Sequence, residues 1–249
     1  MTISAEMARL VAIECLAPTA AILAGRGFPT LAGGNFFDSR RISVGELSIE
    51  RFTPAVSIYT RKAESPRRGL GQGSVERFAR TALEIVAELA IGASDESGDF
   101  TDALAEDDVT ARLTLAALCG QIVQTLTASP AGALFRKAVI AIDGIDFEPH
   151  AIPQLNLRWQ RTTMLFDCQI PGDDFTVGGQ LPEPSATLAA LLPAGSYAAG
   201  ILADLSSRFA ASPTYPAIQT IAFEVKRNGV SGEMGTTAAV APPFADIED

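Results

Sequence analysis

Residues 36–40, Phe-Phe-Asp-Ser-Arg, and residues 54–61, Pro-Ala-Val-Ser-Ile-Tyr-Thr-Arg, are the part of the chain that decides its fold class. Both segments read as short β-strands, and Pro54 suits the first position of the second strand because proline cannot donate a ladder hydrogen bond. A helical pattern precedes the two strands, and a strand, a helix and two closing strands are predicted after them. This order predicts an α/β (α+β) fold, in which helices flank a mostly antiparallel sheet.

Hydrophobic periodicity assigns the elements around this pair of strands. Residues 4–16 are predicted to form a helix with Ser4 as its N-cap, and a short second helix follows at 19–24. Residues 77–91 alternate between apolar and polar side chains, and we predict a strand there although many of the residues are good helix formers. Residues 101–127 are predicted as the clearest helix, with Asp107 or Asp108 near its working N-terminus. Its core stripe is Ala111, Leu115, Leu118, Ile122 and Leu126.

The closing part of the sheet is predicted from two further runs. Residues 134–148 read as a strand with a bulge or kink at Asp143-Gly144, and residues 149–153 read as a connection. The apolar phase then flips near Arg161, so that one face of the last strand carries Met164, Phe166, Cys168 and Ile170. We therefore predict a domain over residues 1–171 and a C-terminal extension over 172–249, with short helices, one strand at 218–227 and a mobile tail.

The composition excludes several classes of protein. Of the 249 residues 47% are hydrophobic and only 19% charged, which leaves apolar surface for contacts between subunits. A net charge of −10 argues against a protein that wraps nucleic acid. No apolar run reaches the about 18 residues of a membrane span, and no signal peptide is evident. The three cysteines lie in apolar runs and are expected to be buried, reduced thiols: Cys15, Cys119 and Cys168.

No catalytic, cofactor or metal motif stands out. The single histidine, His150, lies between two prolines and is expected in a loop without a nucleophile beside it. The G-x-G-x-G motif at 69–73 is not followed by a helix, as a phosphate loop requires. The acidic segment 95–106 has Phe100 where a calcium loop needs glycine, and the pair Asp173-Asp174 is expected to be solvated. We predict no enzyme activity, no cofactor and no metal.

Residues 4–170 resemble the tail terminator proteins of tailed bacteriophages, also called tail completion or head–tail joining proteins. The resemblance lies in the order of the elements: a leading helix, the two strands at 36–40 and 54–60, a polar loop with Glu64, a long strand, a helix and two closing strands. It implies a hexameric ring that caps the finished tail tube, stops its polymerisation and joins the tail to the head or neck. About 75 residues after Ile170 depart from the family pattern, as do insertions near 43–53 and 92–107.

The resemblance also implies the partners and the place of action. The partners are further copies of the chain, the tail tube protein and neck or connector proteins, with a tail sheath as an additional candidate. DNA passes through the lumen without specific binding, no membrane is involved, and the protein acts in the virion after assembly in the host cytoplasm. The polar loop at 61–74 is expected to meet the tube or a neighbouring subunit. Candidate interface residues are Arg61, Lys62, Arg67, Arg68, Gly69, Gly71, Gly73, Trp159 and Arg161.

Three other functions remain open from the sequence. One is a different virion component of the neck, connector or baseplate, which would differ only in its neighbours. The others are a cytosolic enzyme that uses the acidic residues and a cytosolic binding module. A pocket with carboxylates of perturbed pKa would favour the enzyme, and a monomeric state would favour the binding module.

Overall fold

The structure, a computed structural model, describes residues 2–40, 53–64, 78–95, 98–102, 108–152, 159–175 and 179–210. All of them belong to one compact unit, Met1–Ser212. The second unit, Pro213–Asp249, contains the strand predicted at 218–227 and lies outside the described residues.

Five strands form a mixed sheet in the order β1-β2-β3-β6-β5, and β4 pairs with the end of β3. Only the β1–β2 pair is parallel, so the predicted α+β fold with a mostly antiparallel sheet is confirmed. β1 and β5 are the two edges of this sheet. The strands are β1 Phe36–Asp38, β2 Thr53–Glu64, β3 Phe78–Asp95, β4 Gly98–Asp102, β5 Ala141–Ile152 and β6 Trp159–Pro171.

Helices cover one face of the sheet. α1 and α3 both contact sheet strands, and α4, α5 and α6 contact α1. The stripe predicted for α3 is confirmed, since all five of its residues are buried. The helices are α1 Ile3–Leu16, α2 Thr19–Ala24, α3 Asp108–Thr127, α4 Phe135–Ala138, α5 Ser185–Ala189 and α6 Tyr197–Ala210, with a 3-10 turn at Pro130–Gly132.

The strand register separates the two faces of the sheet. Residues directly opposite each other on neighbouring strands point to the same face. The row through Val56, Ala87 and Thr162 faces the helices, and we call this side the helix face. The neighbouring row through Ser57, Val86 and Thr163 points to the opposite side, which we call the outer face.

The N-terminus of α1 is held by a residue far away in the sequence. The N-cap is Thr2, whose side chain accepts a hydrogen bond from the Ala5 amide at 3.2 Å, so the prediction of Ser4 as N-cap is wrong. Asp173 accepts hydrogen bonds from the amides of Ile3 and Ser4, both at 2.8 Å. A carboxylate at this position satisfies orphan amides and opposes the helix dipole. Asp173 is therefore a structural cap and not a solvated charge.

Two further boundaries differ from the prediction, and a predicted bulge is confirmed. Residues 134–138 are not strand, because Phe135 is buried at the base of α1 and starts the short helix α4. The predicted connection at 149–153 is strand as far as Ile152, since β5 is an edge strand and an edge tolerates the missing amide of Pro149. The bulge at Asp143-Gly144 is confirmed by the register shift between Ile142 and Gly144.

The working N-terminus predicted for the helix at 101–127, Asp107 or Asp108, is confirmed, but residues 101 and 102 at the start of that range are strand. Residues 98–102 form β4, which pairs with the last five residues of β3, and α3 begins at Asp108. The acidic segment that begins at Asp95 therefore contains part of a β-hairpin, in which Asp95 is paired with Gly98. Short polar segments next to a helix carry too little periodicity to reveal such a strand.

The C-terminal extension contributes to the same core as the sheet. The helices predicted at 186–192 and 196–211 correspond to α5 and α6, and Leu188 and Leu202 are buried in the main cluster. The boundary predicted at residue 171 therefore falls inside the unit Met1–Ser212.

Two helical stretches, Ile3–Ala24 and Val109–Thr127, are long and apolar enough in composition to cross a membrane. Core helices of soluble proteins meet the same criterion. In α1, eleven of fourteen residues are buried against the sheet and the other helices, which accounts for its apolar composition.

Candidate functional site

An open apolar groove runs between α3 and the β5–β6 edge of the sheet. Its volume is about 800 Å³. Its floor and walls combine one face of the helix with the helix face of the two strands. The apolar lining consists of Leu115, Ala116, Val123, Phe147 and Pro149.

The groove arises because α3 carries apolar residues on more than its core stripe. Ala116, Gly120 and Val123 are spaced by three or four residues and so share one side of the helix. Val109 and Leu113 continue this side towards the start of α3 and are both strongly exposed. On the sheet, Phe147 lies opposite Met164 in the register and points to the helix face, where half of its surface is exposed.

Polar groups lie at the strand end of the groove. Arg112 of α3 and Arg161 of β6 both line it, together with His150. In the register, Arg161 stands between Glu88 on β3 and His150 on β5, and these three residues form one row across the sheet. This row is next to the row through Thr162, so it points to the outer face, and Arg161 and His150 border the groove only at the sheet edge. His150 belongs to strand β5, and its predicted place in a loop is therefore wrong.

The cysteines do not provide a nucleophile. Burial raises the pKa of Cys15 and of Cys119 to about 11, and a hydrogen bond with Thr162 only partly opposes the shift at Cys119. Burial, with Asp167 and Asp143 nearby, raises the pKa of Cys168 to about 12. The expectation of buried, free thiols is confirmed. Since the thiolate is the reactive form, all three side chains are inert near neutral pH.

We expect this protection to appear in alkylation kinetics. At pH 8 the native protein should react with iodoacetamide far more slowly than the unfolded protein, in which a cysteine recovers a pKa near about 8.5. The rate for the native protein should rise only as the pH approaches 11, where the raised pKa values lie. Mass spectrometry after timed quenching measures each site. Rapid labelling of Cys119 at pH 8 without denaturant would contradict the burial.

The residues predicted as interface are not brought together. Arg61 and Lys62 lie near the end of β2, where Arg61 is 3.8 Å from Glu84 and Lys62 is 2.5 Å from Glu64. The Lys62 ammonium lowers the pKa of Glu64 by hydrogen bonding and by its charge. Arg161 lies near the opposite end of the sheet.

The register gives the separation along the strands. Lys62 is aligned with Ala82 on β3, whereas Arg161 is aligned with Glu88, six residues further along that strand. Six residues of antiparallel strand span about 20 Å. Trp159 starts β6, and five of the candidates lie outside the described residues: Arg67, Arg68, Gly69, Gly71 and Gly73.

The polar loop begins later than predicted. β2 continues to Glu64, which is paired with Arg80 of β3. A deletion of 61–74 would remove three paired residues, Lys62, Ala63 and Glu64, and damage the sheet. The hypothesis about this loop therefore needs a deletion that starts after Glu64.

A second surface lies at the β1 edge. Ile22 of α2 and Tyr197 of α6 border a cavity of about 340 Å³ together with Phe36 and Arg40. The Tyr197 hydroxyl donates a hydrogen bond of 2.9 Å to Asp38, which ties α6 to β1. Ile22 and Tyr197 are each about half exposed. The side chain of Arg40 lies 4.4 Å from the centre of the Phe37 ring.

A small polar cavity of about 250 Å³ lies between the ends of β2, β3 and β6. Its charged lining consists of two cations, Lys62 and Arg80, and three carboxylates, Glu64, Asp143 and Asp167. Within the part of the chain that the structure describes, no group of three or more His, Cys, Asp or Glu side chains could hold a metal ion.

The sequence alone did not single out the groove. Phe147 is far in the sequence from Arg112 and Val123, and only the fold brings these residues of β5 and α3 to one groove. The available signal was the second apolar stripe of α3 beside its core stripe. No protein-family model matches the chain, and a search of curated proteins finds no significant match.

Proposed function

We propose that the chain is a structural virion protein, which forms a ring at the end of a bacteriophage tail tube, stops its polymerisation and joins the tail to the head or neck. The observation that carries this proposal is the groove beside strand β5. Among the described strands β5 is an edge, and an apolar groove next to such an edge is a surface suited to docking protein.

The element order supports the proposal as well. The leading helix, the strands β1 and β2, the long strand β3, the helix α3 and the closing strands follow one another as the resemblance requires. Within the described residues they build one sheet with helices on one face, and the edges at β1 and β5 are available to neighbours. The middle of the outer face is not, because Ser57, Val86 and Thr163 are buried.

The charge distribution fits a channel for DNA. By register, acids outnumber bases on the described outer face, and the whole chain carries a net charge of −10. The acids are Glu64, Glu84, Glu88, Asp146, Glu148 and Asp167, and the bases are Lys62, Arg80 and Arg161. Acidic walls repel a phosphate backbone and so allow it to slide. The ring would accordingly neither bind nor read the DNA that passes through it.

Assembly of the purified protein tests this function. We expect light scattering coupled to gel filtration to give a mass near six times 26.1 kDa, and negative-stain electron microscopy to show closed rings with a central opening. When tail tube protein from the same genome polymerises, substoichiometric amounts of the ring should shorten the tubes and lie at their ends. A monomer at every concentration, or tubes of unchanged length, would contradict the proposal.

The groove also favours a second candidate, a binding module for a small apolar molecule. Its volume of about 800 Å³ lies within the range of ligand sites, and Arg112 of α3 could hold an anionic group. A monomeric protein whose thermal stability rises with a fatty acid would select this candidate.

A further inference from the structure

We infer that copies of this chain associate head to tail, with the β1 edge of one copy docked on the β5 edge and α3 groove of the next. This inference rests on the proposed function, because it names the contact that would build the ring. The occupant of the groove is thus a second copy of the chain.

The two surfaces lie at opposite edges of one sheet. In the order β1-β2-β3-β6-β5, the groove is beside the last strand and the cavity around Ile22 and Tyr197 is beside the first. A contact between two different surfaces is heterologous and continues from copy to copy until it closes. A contact between two identical edges would instead stop at a dimer.

Apolar side chains match on the helix side of the sheet. The β5 edge offers Phe147 and, on α3, Val109 and Leu113. The β1 edge offers Ile22 and, on α6, two exposed residues spaced by four, Tyr197 and Ile201. All of these side chains are more than two-fifths exposed in the single chain, and each set would be covered by the other in the contact.

Charges match on the outer side of the sheet. Asp146 and Glu148 of β5 are opposite Leu165 and Thr163, which places both carboxylates on the outer face. At the β1 edge, Arg40 packs on Phe37, whose partner in the register, Ser57, also belongs to the outer face.

The charges therefore add to the apolar match. We consider two copies with the β1 edge of one beside the β5 edge of the other and their helix faces on the same side. The apolar side chains then meet on the helix side, and on the outer side Arg40 of one copy meets Asp146 and Glu148 of the next. This complementarity on both sides of the sheet favours a second copy over an unrelated partner.

Two variants that each remove one surface test the contact. Phe147→Asp places a charge in the apolar groove and leaves the β1 edge unchanged. Ile22→Asp places a charge at the β1 edge and leaves the groove unchanged. We expect each variant alone to be monomeric, with self-association weakened about 100-fold or more. An equimolar mixture should form a one-to-one dimer and nothing larger, because only one complementary pair of surfaces remains. Native mass spectrometry with one variant isotopically labelled gives the composition.

The control is Leu191→Asp, which changes an exposed leucine outside both surfaces and should leave assembly unchanged. Thermal unfolding of each variant checks that it is folded. If Phe147→Asp fails to fold, Leu113→Asn on the groove side replaces it, and if Ile22→Asp fails to fold, Ile201→Asn on the β1 side replaces it. If either variant alone assembles like the wild type, or if the mixture stays monomeric while the wild type assembles, the head-to-tail contact is wrong. A wild type that never assembles would instead overturn the proposed ring itself.

Discussion

Replacing Gly132 by alanine is expected to lower the free energy of unfolding by about 3 kcal/mol or more. An added Cβ would lie 2.0 Å from the carbonyl oxygen of Thr125 and 2.9 Å from its carbonyl carbon. Both atoms belong to the backbone of α3 and cannot rotate away. The 3-10 turn or the end of the helix must therefore move.

The movement would also disturb the end of α3. Arg136 donates hydrogen bonds from one guanidinium nitrogen to the carbonyl oxygens of Leu126 at 3.3 Å and Ser129 at 2.9 Å. A cation at this position satisfies orphan carbonyl groups and complements the helix dipole. Because Gly132 holds the turn against the helix, its replacement would weaken these bonds as well.

Urea unfolding followed by circular dichroism measures the effect. The matched control is Gly200→Ala in α6, where an added Cβ meets nothing within 4 Å. Alanine in a helix is favoured over glycine, so this control should gain about 0.5–1 kcal/mol. Equal stability of the two variants would show that the turn is not packed against α3 as the structure describes.

The sequence predicted the elements whose pattern comes from one buried face. α3 has its core residues every three or four positions, and this period alone located the helix. In β3 the odd-numbered residues from Ala79 to Leu89 face the helices, which gives the sequence its alternating pattern. This pattern identified a strand where the residue propensities alone also allowed a helix.

The prediction failed where distant residues decide the local structure. The run from Ala138 to Ile142 is apolar on both sides of the junction between α4 and β5, so no period marks the boundary. The cap on α1 comes from Asp173, which is about 170 positions away. A single sequence contains no signal for such a contact.

The candidate site was unpredictable for the same reason. Arg61 and Lys62 were chosen as basic residues beside a loop, a property that says nothing about the distance to Arg161. The exposed side chains of the groove are ordinary hydrophobic residues in the sequence. They become a surface only because β5 is an edge and α3 leaves Phe147 half uncovered.

The second large effect is expected for Asp38→Ala, which should cost about 3 kcal/mol of unfolding free energy. Asp38 forms an ion pair with Arg9 of α1, and both side chains are almost buried. Arg9 also bonds to Glu6, at 2.5 Å and 3.1 Å, so one partner would remain. The loss would still leave a buried guanidinium undercompensated and would break the hydrogen bond from Tyr197.

A double-mutant cycle separates the charge from the packing. Arg9→Met combined with Asp38→Ala removes both charges and should restore part of the lost stability, because an uncompensated buried charge costs more than a missing pair. The control is Asp204→Ala, whose partner Arg208 is exposed and whose loss should cost less than about 0.5 kcal/mol.

The cycle also reports on the β1 edge, since Asp38 connects β1 with α1 and α6. If the edge is built as described, Asp38→Ala should weaken assembly more than its stability loss explains, and the double variant should recover stability without recovering assembly. If Asp38→Ala costs less than about 1 kcal/mol, the pair is solvated and the link between α6 and the sheet edge does not hold.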